Sequence, residues 1–294
     1  MSWPRLPTKA AYLALQNGKR RNALSLSVLR DLREQLTKYN TSPVDGRVRI
    51  LPAFQPAVLN DLEAVSAGSA SEDTKAKHAW LVDGATWRKE REGLPSVIVL
   101  RSEGPVFSSG HDLGELRTLS HDGVKETFAL CAEVMSLIRR SPAPVVGVVQ
   151  GLATAAGCQL ALTTDIPIAA GSTQFRLPGA SIGLSMYFPF DCEPVRANEL
   201  PGGAVDVVAD AEALEKRVEE VITKLSQYSG AQSQALGKWA YWTQLGLRGG
   251  DSGGDGYEEA VSWAGRMMAL HARSDDAKEG ISAFFEKRKP SFST

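Results

Sequence analysis

The stretch Gly104-Pro105-Val106-Phe107-Ser108-Ser109-Gly110-His111-Asp112-Leu113 follows an apolar run of strand type, Ser96 to Leu100, and leads into a helical pattern. A strand that gives way to small residues and glycine before a helix leaves backbone N–H groups unpaired, aimed at whatever anion or oxyanion occupies the turn. The same order recurs where the apolar run Pro144 to Val149 enters Gln150-Gly151-Leu152-Ala153-Thr154-Ala155-Ala156-Gly157-Cys158-Gln159-Leu160-Ala161. Two such turns could face each other and give one N–H each to a single oxygen. That arrangement suits reactions in which negative charge grows on a carbonyl oxygen, as in thioester enolates or tetrahedral intermediates. The chain has no Walker loop, no Gly-x-Gly-x-x-Gly and no His-Glu-x-x-His, and its four histidines are scattered without zinc spacing.

The elements that must hold these turns follow from pattern. Tyr12 to Gln16 reads as a short strand, Asn17-Gly18 as a turn, and Ser25 or Ser27 as the cap of a helix carrying Leu29, Leu32 and Leu36. Strand Ser96 to Leu100, helix Lys125 to Arg140, strand Val145 to Val149, the second turn with its helix, and strand Asp165 to Ala169 alternate as β-α-β-α-β. Such alternation predicts a parallel sheet flanked by helices, an α/β fold. Glu212 to Gln227, Gln232 to Leu245, Tyr257 to His271 and Asp275 to Lys287 read as helices, and Gly249 to Gly256 as a mobile loop. Residues 41–93 differ in texture, with three early prolines, the run Ser66-Ala67-Gly68-Ser69-Ala70-Ser71, and a charged stretch holding Trp80 and Trp87. They read as an inserted surface segment, helical at Val58 to Val65 and Asp73 to Arg91.

Composition narrows the partners. With 294 residues, 43% apolar content and a net charge of −1, the chain can bury a large core but casts no long-range field towards nucleic acid or an acidic membrane. Arg30, Arg33 and Lys38 lie along one helix, yet Asp31 and Glu34 dilute them, so a solvated face is expected rather than an RNA site. Cys131, Cys158 and Cys192 are an odd set without metal-ligand spacing, which favours free thiols in a reducing compartment. No apolar stretch reaches a membrane span, and neither a signal peptide nor a long presequence is evident in Met1 to Ala10. A soluble, cytoplasmic protein without metal or membrane insertion is the expectation.

Five blocks carry a resemblance: Glu103 to Leu113; Val148 to Gly151 through Gly157 to Ala161; Asp165-Ile166; Phe175-Arg176-Leu177-Pro178; and Glu279 to Pro290. Together with Ala11 to Thr37 they resemble the crotonase, or enoyl-CoA hydratase/isomerase, superfamily, and within it the enoyl-CoA hydratase domain-containing protein 3 group. The resemblance implies a crotonase-like spiral of ββα units over residues 1–225 and a C-terminal helical region, 226–294, for self-association into a homotrimer or hexamer. It implies an acyl-CoA thioester of fatty acid metabolism as ligand, with coenzyme A as part of that ligand, no tightly bound cofactor, and a mitochondrial location as an alternative to the cytoplasm. The oxyanion hole would be the backbone N–H groups of His111 and Ala156, with Ser108, Ser109, Gly110, Ala155 and Gly157 small enough to admit the thioester. Arg20, Arg21, Asn22, Ala23 and Leu24 would line the coenzyme tunnel beside Asp112 and Leu113, and Phe284 and Lys287 would reach a coenzyme A, commonly in a neighbouring subunit.

Each side chain also has an ordinary reading. The His111 ring is expected to be a solvated turn residue, Asp112 a helix cap, Cys158 a packing residue and Phe284-Phe285 core or subunit packing, while Arg20 and Arg21 could be a solvated pair or phosphate ligands. The two glutamates with which hydratases of this superfamily move protons correspond to Gln159 and Gly179, neither of which can exchange a proton near neutral pH. The segment Leu184 to Cys192 is shorter than the turn and helix usual there, and Tyr187 within it is expected to pack among Met186, Phe188 and Phe190. The resemblance therefore points to an acyl-CoA protein without ordinary hydratase activity, either acting through enolate stabilisation or binding the thioester without turnover as a regulatory or assembly protein.

Overall fold

The computed structural model describes residues 3–53, 55–178, 193–200, 202–227, 229–246, 256, 261 and 275–289. Its main sheet has five parallel strands in the order β1-β2-β3-β5-β8: β1 Ala10–Leu15, β2 Val97–Ser102, β3 Val145–Val149, β5 Ile166–Ala170 and β8 Asp206–Val208. The run Val97-Ile98-Val99-Leu100 is apolar at every position because both of its faces are covered. Ile98 and Leu100 join Leu13, Leu15 and Phe107 beneath helices α1 (Leu26–Asn40) and α6 (His121–Arg140). Val97 and Val99 instead join Val146, Val148 and Ile168 against Leu214, Val218, Val221 and Ile222 of α8 (Ala211–Gln227). The period of two along one strand thus divides its side chains between two cores.

Helix α1 starts where expected, with Ser25 Oγ accepting from Val28 N at 3.3 Å. Arg30 and Arg33 of α1 pair across to Glu126 and Glu133 of α6, which neutralises the basic stripe. The inserted segment holds three helices, α2 (Pro56–Ser66), α3 (Glu72–Val82) and α4 (Gly84–Glu90). The single helix expected over Asp73 to Arg91 is broken at Asp83, whose carboxylate accepts from Thr86 N at 2.8 Å and begins α4 afresh. Leu51, Leu62, Trp80, Leu81 and Trp87 form a separate core closed by Ala235 of α9 (Ala231–Gly246). The last described helix, α10, spans Asp275–Glu286.

A second sheet joins β4 (Leu152–Thr154), parallel, to β6 (Gln174–Arg176), which pairs antiparallel with β7 (Val195–Arg196). Residues 152–154 therefore do not lie in a turn that feeds straight into a helix, as the sequence suggests. They pair first with β6 and by a bridge with Ser108, and those hydrogen bonds outweigh the weak strand tendency of Ala and the absence of a longer apolar run. Among the described residues no helix is long and apolar enough to cross a membrane.

Candidate active site

The first turn is held by a polar side chain as well as by the buried Phe107. Asn22, fully buried, donates from Nδ2 to the carbonyls of Glu103 at 2.7 Å and Val106 at 2.8 Å, while its Oδ1 accepts from Asn17 N at 2.9 Å. Ser108 Oγ donates to the Asn22 carbonyl at 2.8 Å and accepts from Gly110 N at 3.2 Å. Leu24 then bridges the next residues, its N–H reaching Gly110 O at 2.8 Å and its carbonyl accepting from Asp112 N at 3.3 Å. In an extended chain successive N–H groups alternate sides, so the intervening His111 N–H turns away from Leu24.

The second turn is laid against the first. Phe107 N donates to Gln150 O, Ser108 N to Leu152 O, and Thr154 N to Ser108 O. Three glycines permit this approach. A β-carbon on Gly151 would overlap the Pro105 carbonyl oxygen at 1.9 Å, one on Gly157 would stand 2.6 Å from Ser108 Cβ, and one on Gly110 would lie 3.4 Å from Ala156 N. Between β4 and helix α7 (Ala156–Thr163), Ala155 adopts φ 51°, ψ −127°, a conformation an L-residue holds only when its surroundings impose it. Its N–H is fixed to Arg176 O at 2.8 Å, and the strained residue turns the next N–H, that of Ala156, out of the strand. Nothing in an Ala-Ala pair signals that strain, so the sequence alone does not reveal how Ala156 is aimed.

Neither His111 N–H nor Ala156 N–H meets an acceptor among the described residues. Ala156 is the first residue of α7, where intrahelical partners are lacking and the helix dipole is positive. Gln159, one turn further along, is half-buried, and its carboxamide meets no hydrogen-bond partner among the described residues. Thr154 Oγ1 is likewise buried and unpaired.

The ionisable groups nearby are committed or neutral. Asp112 is the cap the sequence suggests: Oδ1 accepts from Glu115 N at 3.1 Å at the head of α5 (Leu113–Leu116), and Oδ2 accepts from Arg20 Nη1 at 2.6 Å. Burial works to raise its pKa, but the Arg20 hydrogen bond and the Glu115 N–H outweigh it and hold the carboxyl below its ordinary value. Glu115 Oε2 is occupied by Leu26 N at 2.9 Å. The His111 ring is half-buried. It packs edge-on against Phe128 at 4.8 Å, its Nδ1 is buried without a partner, and burial pushes the imidazole down to about 4, offset only in part by the Leu24 carbonyl. Helix α6 brings Phe128 over one side of the ring.

The remaining residues are spread around these turns. Ser109 N donates to Arg21 O at 3.0 Å, Ala23 is buried, Leu113 packs with Leu116, Val124 and Phe128, and Arg21 is exposed. Cys158 is buried, and burial raises its thiol to about 11 despite the Arg176 backbone, which makes it the packing residue expected. Phe284 and Phe285 are not core residues of this chain, being 58% and 43% exposed. Phe285 nevertheless comes back to α5, lying under the Arg117 guanidinium at 4.9 Å and beside Gly114. Lys287 follows α10, exposed and at φ 55°. Gly179, Tyr187 and the short segment 184–192 lie outside the described residues, as does Gly179-Ala180-Ser181-Ile182-Gly183, which has Gly-x-Ser-x-Gly spacing.

Comparison with known proteins adds a frame to this geometry. A family model described as Enoyl-CoA hydratase/isomerase matches residues 88–190, which include both turns. The Mus musculus protein named enoyl-CoA hydratase domain-containing protein 3, mitochondrial, is 33% identical over 300 residues, covering 96% of this chain and 80% of its own length. The crystal structure of human enoyl Coenzyme A hydratase domain-containing protein 3 covers 98% of each chain with TM-score 0.58 at 28% identity. An enoyl-CoA hydratase structure from Mycobacterium avium subsp. paratuberculosis, at 20% identity and TM-score 0.68, shares the fold.

Proposed function

We propose that this chain, which belongs to the enoyl-CoA hydratase/isomerase family, binds an acyl-CoA thioester with its carbonyl oxygen between the N–H groups of His111 and Ala156 and does not hydrate enoyl thioesters. The observation that carries the reading is the pair of acceptor-free N–H groups flanking Gly110, whose missing side chain leaves the gap open. Fixed backbone donors cost no reorganisation as charge builds on the oxygen, and each is worth on the order of 10²–10³ in rate. Hydration also needs a base to activate water and an acid for the α-carbon. Gln159 and Gly179 stand at those positions, Asp112 is held ionised by Arg20, and His111 stays neutral well below pH 7.

In this reading coenzyme A enters as part of the ligand, with the exposed Arg21 guanidinium as a phosphate partner and Arg20 as both phosphate partner and counter-ion of Asp112. Phe284 and Lys287 contact the coenzyme of a neighbouring subunit in a homotrimer or hexamer, which gives the exposed Phe284 ring a partner surface. The relatives bear the word mitochondrial in their names, and a mitochondrial matrix, rich in acyl-CoA, is the location we propose. The missing carboxylates equally favour a second reading, a thioester-binding regulatory protein without turnover.

Calorimetry with butyryl-CoA tests the site. Micromolar binding, with crotonyl-CoA left unhydrated, is expected. The double variant Gln159→Glu/Gly179→Glu is expected to gain crotonyl-CoA hydration, and a folded variant that gains none argues against this alignment of the site. Absence of heat with any acyl-CoA rejects both ligand-based readings.

A further inference from the structure

We propose that Asn22 is a positioning residue of the thioester site, which touches no ligand and sets the aim of the His111 N–H through Leu24. The inference rests on the thioester reading above and deepens it by naming what holds one of the two donors in place. The resemblance puts Asn22 on the wall of the coenzyme tunnel, yet its side chain is wholly buried and offers a ligand no surface. His111 is the parallel partner of Leu24. Leu24 N donates to Gly110 O at 2.8 Å and Asp112 N donates to Leu24 O at 3.3 Å, so Leu24 grips the two neighbours of His111 and leaves His111 itself ungripped. The His111 N–H therefore points to the side opposite Leu24, and any rotation or retreat of Leu24 swings it.

Leu24 is placed in turn by Asn22, two residues earlier. Both Nδ2 protons of Asn22 go to the start of the turn, at Glu103 O and Val106 O, and its own carbonyl accepts from Ser108 Oγ, which accepts from Gly110 N. From behind, Asn17 and Asn22 pair reciprocally, Asn17 N to Asn22 Oδ1 and Asn22 N to Asn17 O, each at 2.9 Å. One residue thus ties the beginning of the turn, its middle and, through Leu24, its end. The position also selects the residue type. Its backbone lies at φ 52°, a left-handed conformation that glycine enters freely and asparagine more readily than most. Glycine has no side chain, an ionised aspartate has no proton to give, and glutamine is a methylene too long, so asparagine meets both demands. The aim matters because an oxyanion donor acts from about 2.7–3.1 Å. Misplacement by about 1 Å costs on the order of 10²-fold in rate.

The test reads the donor rather than the stability of the fold. Hydrogen bonds to a thioester oxygen weaken its C=O bond and lower its stretching frequency, so the infrared band of butyryl-CoA labelled with carbon-13 at C1 reports the hole in the saturated complex of the full chain. In the parent the band is expected to move to lower frequency on binding. Asn22→Gly keeps the backbone conformation and removes the side-chain hydrogen bonds, and Ser108→Ala removes the bridge from Asn22 O to Gly110 N; each is expected to lose at least about half of that shift. Lys238→Met unpairs Asp165 at the end of the parallel strands opposite the two turns, and it is expected to keep the shift. A parent-like shift in folded Asn22→Gly, or in Ser108→Ala where Asn22→Gly does not fold, overturns the positioning role and leaves the thioester site standing. Loss of the shift in Lys238→Met overturns it too, because the band then follows general loosening. If the parent does not bind butyryl-CoA, or binds it without a shift, the site reading itself falls.

Discussion

A β-carbon on Gly110 would stand 2.8 Å from the Ala155 β-carbon and 3.0 Å from the Thr154 carbonyl oxygen, so the two turns touch at a residue that must have no side chain. Gly110 also sits at φ +83°, where other residues carry strain of about 1–3 kcal/mol. Gly110→Val is therefore expected to force the turns apart, lowering stability by at least that amount in urea unfolding and weakening butyryl-CoA binding at least about tenfold. A folded variant that binds like the parent would show that the N–H pair does not hold the thioester.

Stability should depend on His111 in a defined pH window. The unfolded imidazole takes its proton near pH 6.5, whereas burial keeps the folded one neutral to about 4. Between these values the unfolded state binds more protons. The contribution is complete above about pH 6.5 and is lost as pH falls towards 4, amounting to at most about 3 kcal/mol. Urea midpoints of the parent and His111→Phe, which keeps an aromatic ring against Phe128, should diverge over that interval, and parallel curves would refute the effect.

Another buried charge fastens α9 to the sheet. Lys238 Nζ lies 2.6 Å from Asp165 Oδ2 and donates to Ile138 O at 2.8 Å, while Trp242 Nε1 donates to Asp165 Oδ1 at 2.7 Å. Burial lowers the Lys238 pKa, and Asp165 opposes that shift. Lys238→Met alone leaves a buried carboxylate without its cation and is expected to cost about 3–5 kcal/mol. The double variant Lys238→Met/Asp165→Asn should recover much of this, because no charge then remains to be desolvated. Additive losses in the double-mutant cycle would deny the coupling.

How far the sequence could be read follows from what each element depends on. Val145 to Val149 is a strand in the bounds its apolar run suggests, and α1 begins at the Ser25 cap, because local pattern and tertiary burial agree there. The N–H turns were legible as small residues between strand and helix. Their aim was not. It depends on the strain at Ala155, on the bridge from Leu24 and on Asn22, two of whose side-chain hydrogen bonds join residues about eighty positions apart. The partial cover of the His111 ring was not legible either, because Phe128 comes from a helix that begins after the turn has ended. Strands β4, β6 and β8, of three residues each, were missed since so short a segment carries no period of its own.

Arg49 and Glu90 meet in a buried two-point ion pair, Nε to Oε2 at 3.0 Å and Nη2 to Oε1 at 2.9 Å, near the two ends of the inserted segment. Arg91 adds a clasp to the carbonyls of Tyr39 and Pro95 on either side. The segment thus leaves and rejoins the core at a fastened neck, and its Leu51, Trp80 and Trp87 pack a second time against α9. Closing a longer or shorter loop through the same neck changes the entropy of folding only by a logarithm of its length. The neck therefore holds the ends of residues 49–90 at one fixed spacing, so the cost of ordering the chain between them is set at Arg49 and Glu90 rather than at the turns where Gly110 meets Ala155.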